Sequence, residues 1–127
     1  MRRERVLKVV LVLVGLVFSA GIYPVAVSLW HQNPSMYTFD MMLSLYVALG
    51  IFLLIAVWNP SAHRSLIAFA AWSSFAHAVA MSILGLEIPS QRVGFLIGSA
   101  VLVVIGVALI VLTPAKPSGE LRSAARA

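Results

Sequence analysis

Residues 59–86 read NPSAHRSLIAFAAWSSFAHAVAMSILGL. A turn at Asn59-Pro60-Ser61-Ala62 leads through His63 and Arg64 into an uncharged apolar run with one histidine, His77, inside it. Placed on a helix at about 100° per residue, the run separates into two faces. Ala70, Ser73, Ser74, His77, Met81 and Leu84 share one side, and Trp72, Phe75, Val79 and Ile83 share the other. A small, polar face opposite a bulky apolar one is the pattern of a membrane helix that packs on protein on one side and meets lipid on the other.

Three further segments have the same character: Val6–Trp30, Met41–Trp58 and Val93–Leu112. Each is near the ~20 residues that cross a bilayer as a helix. Apolar residues form 61% of the 127-residue chain and charged residues 10%. That is well short of the ~25% charge of a water-facing domain. Helices satisfy their own backbone groups in lipid, and the strand alternation of a membrane barrel is absent. The expected fold is all-α: a transmembrane up-down-up-down four-helix bundle in one domain. Its helices are expected at about 6–30, 41–58, 64–86 and 93–113, with a disordered tail from 114 to 127.

The formal charge of +5 is not a nucleic-acid signature, because of where it lies. Arg2, Arg3, Arg5, Lys8, Arg64, Lys116, Arg122 and Arg126 fall at the two termini and the second loop, whereas Arg92 alone falls in the first or third loop. With four crossings those basic segments share one side. By the positive-inside rule both termini are cytoplasmic, in a cell inner membrane. His63 and Arg64 then stand at the cytoplasmic interface, as anchors that snorkel toward water or as contacts for lipid phosphate. The absence of cysteine excludes disulfides, thiol redox chemistry and zinc–thiolate sites.

The first apolar run is too long for the core of a cleavable signal and reads as a retained helix. Gly15 and Ser19 share its packing face with Ile22 and Ala26, and Pro24 is expected to kink it. Asp40, just ahead of the second helix, has the residue type of an N-cap. The second helix places Leu45, Leu49, Phe52 and Leu53 on its expected lipid face. In the fourth, Gly94-Phe95-Leu96-Ile97-Gly98 is a GxxxG pattern, expected at a close helix contact within the bundle or between copies. Glu87 and Arg92 are expected to form an exposed ion pair at the outer end.

DMMLSLY at Asp40–Tyr46, NPSAHRSLI at Asn59–Ile67 and WSSFAHA at Trp72–Ala78 resemble a bacterial family of small four-helix membrane proteins of unknown function. The layout is also similar to the DoxX-like membrane proteins. The resemblance lies in the second and third helices; the first and fourth match only in being apolar. It implies an integral four-helix membrane protein and no activity or catalytic residue.

His77 is the one strongly titratable side chain expected deep in a span, roughly 13 Å from its outer end at 1.5 Å per residue. Such a residue is a functional candidate by default. Its neutral ring has one donor and one acceptor. Ser73, Ser74 and Tyr46 are the side chains placed to meet them, either as a structural lock or as the wall of a site for a small apolar, quinone-like or lipid ligand. Bis-histidine haem needs a second histidine at this depth, and His31 and His63 lie at opposite edges. No HxxH or ExxH spacing supports a metal. Proton-coupled export needs a carboxylate within a span, and Asp40 and Glu87 fall at the ends. Hydrolysis needs an orienting acid that is missing. The reading is therefore a non-enzymatic protein without a cofactor that packs with itself or with a membrane complex in the lipid bilayer. The alternative is ligand binding near His77.

Overall fold

The computed structural model describes residues 2–114 and 125–126. The tail expected to be disordered lies, from residue 115 to 124 and at 127, outside the described residues. Among the described residues five α-helices form four rods: α1 (Arg2–Ser19) with α2 (Ile22–Trp30), α3 (Tyr37–Ala56), α4 (Arg64–Glu87) and α5 (Arg92–Leu112). All four rods are long and apolar enough to cross a membrane. They run up, down, up and down, and no strand occurs among the described residues.

The three connections are built alike. Pro34, Pro60 and Pro89 each open a short 3-10 turn: Pro34–Met36, Pro60–His63 and Pro89–Gln91. Proline at the first position of a turn gives up no needed donor, and its ring drives the preceding residue out of the helical region. Asn33, Asn59 and Ile88 have ψ of 98°, 82° and 90°. Each connection therefore reverses the chain in a few residues and starts the next helix immediately.

Sequence also explains the break in the first rod. Pro24 cannot donate to the Ala20 carbonyl, and its ring crowds that carbonyl. The helix stops at Ser19 and restarts at Ile22, two residues before the proline, and Tyr23 N–H donates to the Ala20 carbonyl at 3.2 Å. Beyond the break α2 has α3 as its main neighbour, and none of its residues is buried. Ile22 and Ala26, expected to continue the packing face of Gly15, are exposed for that reason.

The rods pair as two hairpins, α1 with α3 and α4 with α5, and the seam between hairpins is looser. The core is a stripe through Leu7, Leu11, Val14, Phe18, Leu53, Ala56, Ile67, Ala70, Ala71 and Leu109. Leu53, expected to face lipid, is fully buried in it, whereas Leu45 and Phe52 are exposed. Pairing with α1 turns the buried side of α3 toward Gly50 and Leu53. On α4 the buried stripe runs through Ile67, Ala71, Ser74, Ala78 and Gly85. It is rotated from the expected face, so Leu84 is exposed and His77 sits at its edge. The cause is α5, which packs on Ala78 and Ser82. The Ser99 hydroxyl lies 2.9 Å from the Ala78 carbonyl and 2.7 Å from the Ser82 hydroxyl.

Small residues do bring helices together, but not where GxxxG puts them. A Cβ added at Gly15 would meet the Leu54 side chain at 2.8 Å and the Gly50 carbonyl at 3.0 Å. At Gly50 it would meet the Ser19 nitrogen at 2.7 Å and the Gly15 carbonyl at 2.8 Å. The closest backbone approach in the first hairpin is thus Gly15 against Gly50, beside Ser19. Gly94 instead stands in the open with nothing within 4 Å of such a Cβ, and Gly98 faces only the end of the Met81 side chain. Within the bundle the GxxxG pattern makes no backbone contact, because the side of α5 turned to α4 is that of Ser99 and Gly106. Phe75 fills the space over Gly106, so this aromatic is half-buried and not turned to lipid.

Arginines close the open helix ends. Arg3 donates to the carbonyls of Val111 at 2.7 Å and Thr113 at 3.1 Å, and Arg64 donates to Pro114. The start of α1, the second connection and the end of α5 therefore meet at one end of the bundle. At the other end Arg92 donates to Gly85 at 3.1 Å and Leu86 at 3.4 Å. Orphan carbonyls and the negative end of the helix dipole favour a cation there. That is why Arg92 does not pair with Glu87, and the one ion pair among the described residues is Glu4–Lys8 at 3.5 Å.

Candidate functional site

His77 and Tyr46 come together across the seam between hairpins. The α4 helix carries His77 half-buried at the edge of its packed stripe, and α3 carries Tyr46 at the same depth. Their ring centroids are 5.3 Å apart with the planes at 60°. Tyr46 also meets Phe18 of α1 edge-on at 5.0 Å and 90°. Edge-to-face rings at these separations attract beyond their area of contact, so the aromatic triplet fixes the orientation of Tyr46.

Ser73 and Ser74 do not join this pair. Ser74 donates to the Ala70 carbonyl at 2.7 Å and Ser73 donates to the same carbonyl at 3.1 Å. A serine one turn along a helix finds that acceptor without any partner helix, and this local bond wins. Among the described residues neither His77 nor the Tyr46 hydroxyl has a hydrogen-bond partner. The Ser19 hydroxyl, next to Gly50, is the one buried side-chain polar atom among the described residues without a partner.

The two rings form part of the wall of a cavity of about 240 Å³. The rest of the wall is apolar: Val17 and Phe18 of α1, Phe39 and Leu43 of α3, and Leu102 of α5. Val17 and Phe39 are exposed, so the cavity is reached from the outer surface of the bundle. A mostly apolar hollow with a few convergent polar atoms is the usual make-up of a small-molecule site. A larger hollow of about 400 Å³ lies between Arg2, Arg3, Leu7, Pro60 and Leu112 at the basic end. It is an open seam where rods meet the membrane surface, and its Arg3 is already committed to Val111 and Thr113. His63 ends the 3-10 turn at that same end, next to Arg64.

Asp40 departs most from its expected role. The N-cap of α3 is Met36, four residues earlier, and Asp40 lies inside the first turns, only 4% exposed. Proline at 34 starts the turn early, and the chain enters α3 at Tyr37. The Asp40 carboxylate accepts a hydrogen bond from the Ser28 hydroxyl of α2 at 2.6 Å. A buried carboxylate is therefore present within a rod. Sequence reasoning missed it because Asp before an apolar run has the look of a cap. The signal available was Asn33-Pro34, which already supplies the turn. No group of three metal-ligating side chains occurs among the described residues.

No curated protein and no solved structure matches this chain. A family model covers residues 2–126, from the basic start of α1 to past the end of α5. With four membrane-length apolar rods and a match over nearly its whole length, the chain belongs to the family described as Family of unknown function (DUF6632).

Proposed function

We propose that this is an integral membrane protein that binds a small apolar molecule between its two hairpins, with His77 and Tyr46 supplying the polar contacts. The observation that carries the reading is a pair of unpartnered hydrogen-bonding rings, 5.3 Å apart, on the wall of an otherwise apolar cavity. An unmet polar group away from water costs roughly 1–3 kcal/mol on protein mutational scales, and a ligand carbonyl would relieve it. At about 240 Å³ the cavity takes one ring-sized head group, with a tail leaving past Val17 and Phe39 into the bilayer. A quinone-like or lipid carbonyl compound fits these requirements. The test is a titration of the full chain, in nanodiscs, with a decyl-tailed benzoquinone. Saturable binding that weakens in His77→Gln and Tyr46→Phe is expected. A wild-type protein that shows no saturation, and carries no apolar molecule on extraction, would remove the proposal.

A second reading, association with another copy or a membrane complex, is favoured by Gly94. It is exposed, with nothing within 4 Å of an added Cβ, so a second helix has access to its backbone. Gly94→Leu would then reduce oligomer size without lowering the stability of the bundle. We also assign the protein to the inner membrane of a bacterium, with a DoxX-like layout and the basic end in the cytoplasm. The support for the orientation is the eight-to-one distribution of Lys and Arg between the two sides, and for the origin and layout it is the resemblance carried by residues 40–46, 59–67 and 72–78.

A further inference from the structure

Asp40 is a carboxylate almost wholly removed from water, and it has no cationic partner among the described residues. The N-terminal end of α3 favours negative charge through the helix dipole, and Ser28 adds one hydrogen bond at 2.6 Å. A buried charge is ordinarily balanced by an opposite one, and none is supplied here.

Beside the carboxylate runs a groove of about 340 Å³ between α2 and α3, with Asp40 on its wall. Val25 and Leu29 form one side, and Tyr37, Met41 and Ser44 the other. These walls are apolar except at Asp40, the Tyr37 hydroxyl and Ser44, and the Ser44 hydroxyl is already turned to the Met41 carbonyl at 2.7 Å. Leu29, Tyr37 and Met41 are exposed on the surface of the bundle, so the groove is open to the bilayer. It uses the opposite flank of α3 from the one carrying Phe39, Leu43 and Tyr46, and shares no residue with the His77 cavity.

We infer that this groove binds a lipophilic ammonium ion, its charged head against Asp40 and its apolar body along Val25, Leu29 and Met41. Each part of that chemistry has its counterpart in the wall. The carboxylate lacks an opposite charge among the described residues, and an ammonium donates hydrogen bonds to it. An anion is repelled, and a neutral molecule leaves the charge unbalanced. A bare divalent ion fits poorly, because it wants several oxygen ligands and no group of three metal-ligating side chains occurs among the described residues.

The experiment is a titration of the full chain with phenethylammonium in nanodiscs of zwitterionic phospholipid, followed by ligand-observed NMR. Saturable binding is expected, with the uncharged alcohol of the same length binding far more weakly. Asp40→Asn keeps an oxygen for Ser28 but removes the charge, and is expected to weaken binding by about tenfold or more. Leu29→Trp fills the groove with the carboxylate intact and is expected to abolish binding, which covers the case of an unfolded Asp40→Asn. Glu87→Gln, an exposed carboxylate on another rod, is expected to bind like wild type. No saturable binding by wild type, equal binding of the alcohol, or wild-type binding by both Asp40→Asn and Leu29→Trp would overturn the inference.

Discussion

A Cβ at Gly50 would lie 2.7 Å from the Ser19 nitrogen and 2.8 Å from both the Gly15 carbonyl and the Phe18 Cβ. These are backbone or near-backbone atoms and cannot swing aside. Gly50→Ala is expected to destabilise the bundle by about 1–3 kcal/mol, the usual range for overpacking. Gly94→Ala, with open space, should instead match or slightly exceed wild type. Thermal unfolding in one detergent decides between them, and equal loss at both positions would remove the Gly15–Gly50 crossing. Among the described residues Gln32 is the one non-glycine residue with positive φ, at 49°. It follows the end of α2, where Asn33 N–H reaches the Ser28 carbonyl at 3.4 Å and Gln32 N–H reaches Leu29 at 3.2 Å. Glycine is the residue that this left-handed cap favours. Gln32→Gly is expected to raise stability by about 0.5–1 kcal/mol, less any entropy gained by the unfolded chain.

At the scale of the element, α4 and α5 are joined by a polar clasp in an apolar contact. Ser99 lies within hydrogen-bond reach of both the Ala78 carbonyl and the Ser82 hydroxyl, and Ser82 also donates to Ala78 at 2.8 Å. Hydrogen bonds between membrane helices average about 0.6 kcal/mol each, so Ser99→Ala should cost on the order of 1 kcal/mol. Ser73→Ala provides the contrast, since its hydroxyl serves only its own helix. A measured loss for Ser73→Ala as large as for Ser99→Ala would argue against the clasp. The arginines at the open helix ends work on the same principle with charge added. Replacing Arg92 by glutamine should free the Gly85 and Leu86 carbonyls, at about 0.3–1 kcal/mol.

For the whole molecule, two close-packed hairpins with a looser seam explain why both ligand candidates lie where they do. The His77 cavity opens at the seam, where α1, α3, α4 and α5 meet without interlocking. The Asp40 groove lies between α2, which follows the break at Ala20 and Gly21, and the start of α3. A reporter active only outside the cytoplasm, fused after Ala127, is expected to stay silent. Strong signal there would refute the orientation assigned from the basic residues. Hydrogen exchange should show α4 and α5 protected most deeply and α2 least, since α2 buries no residue.

The number of rods, their apolar character, the sites of chain reversal and the clustering of basic residues were all fixed locally. Hydrophobic run length, Asn-Pro dipeptides and loop charge depend on neighbours in sequence, and bilayer thickness does the rest. Even the broken first rod follows from Pro24, although the stop at Ser19 needed the structure. What sequence left open is which side of each rod faces which neighbour. Small residues line several faces of α3, α4 and α5, and each face could accept a partner. Packing chose Gly50 over Gly94 and Ser99 over Gly98, and it turned α4 so that Ser73 and Ser74 serve Ala70 and leave His77 beside Tyr46. Asp40 was decided the same way. A residue type suited to capping became a buried carboxylate once Pro34 started α3 early and α2 laid Ser28 against it. Local chemistry sets where a helix runs, but the direction a side chain points is settled by the rods that crowd it.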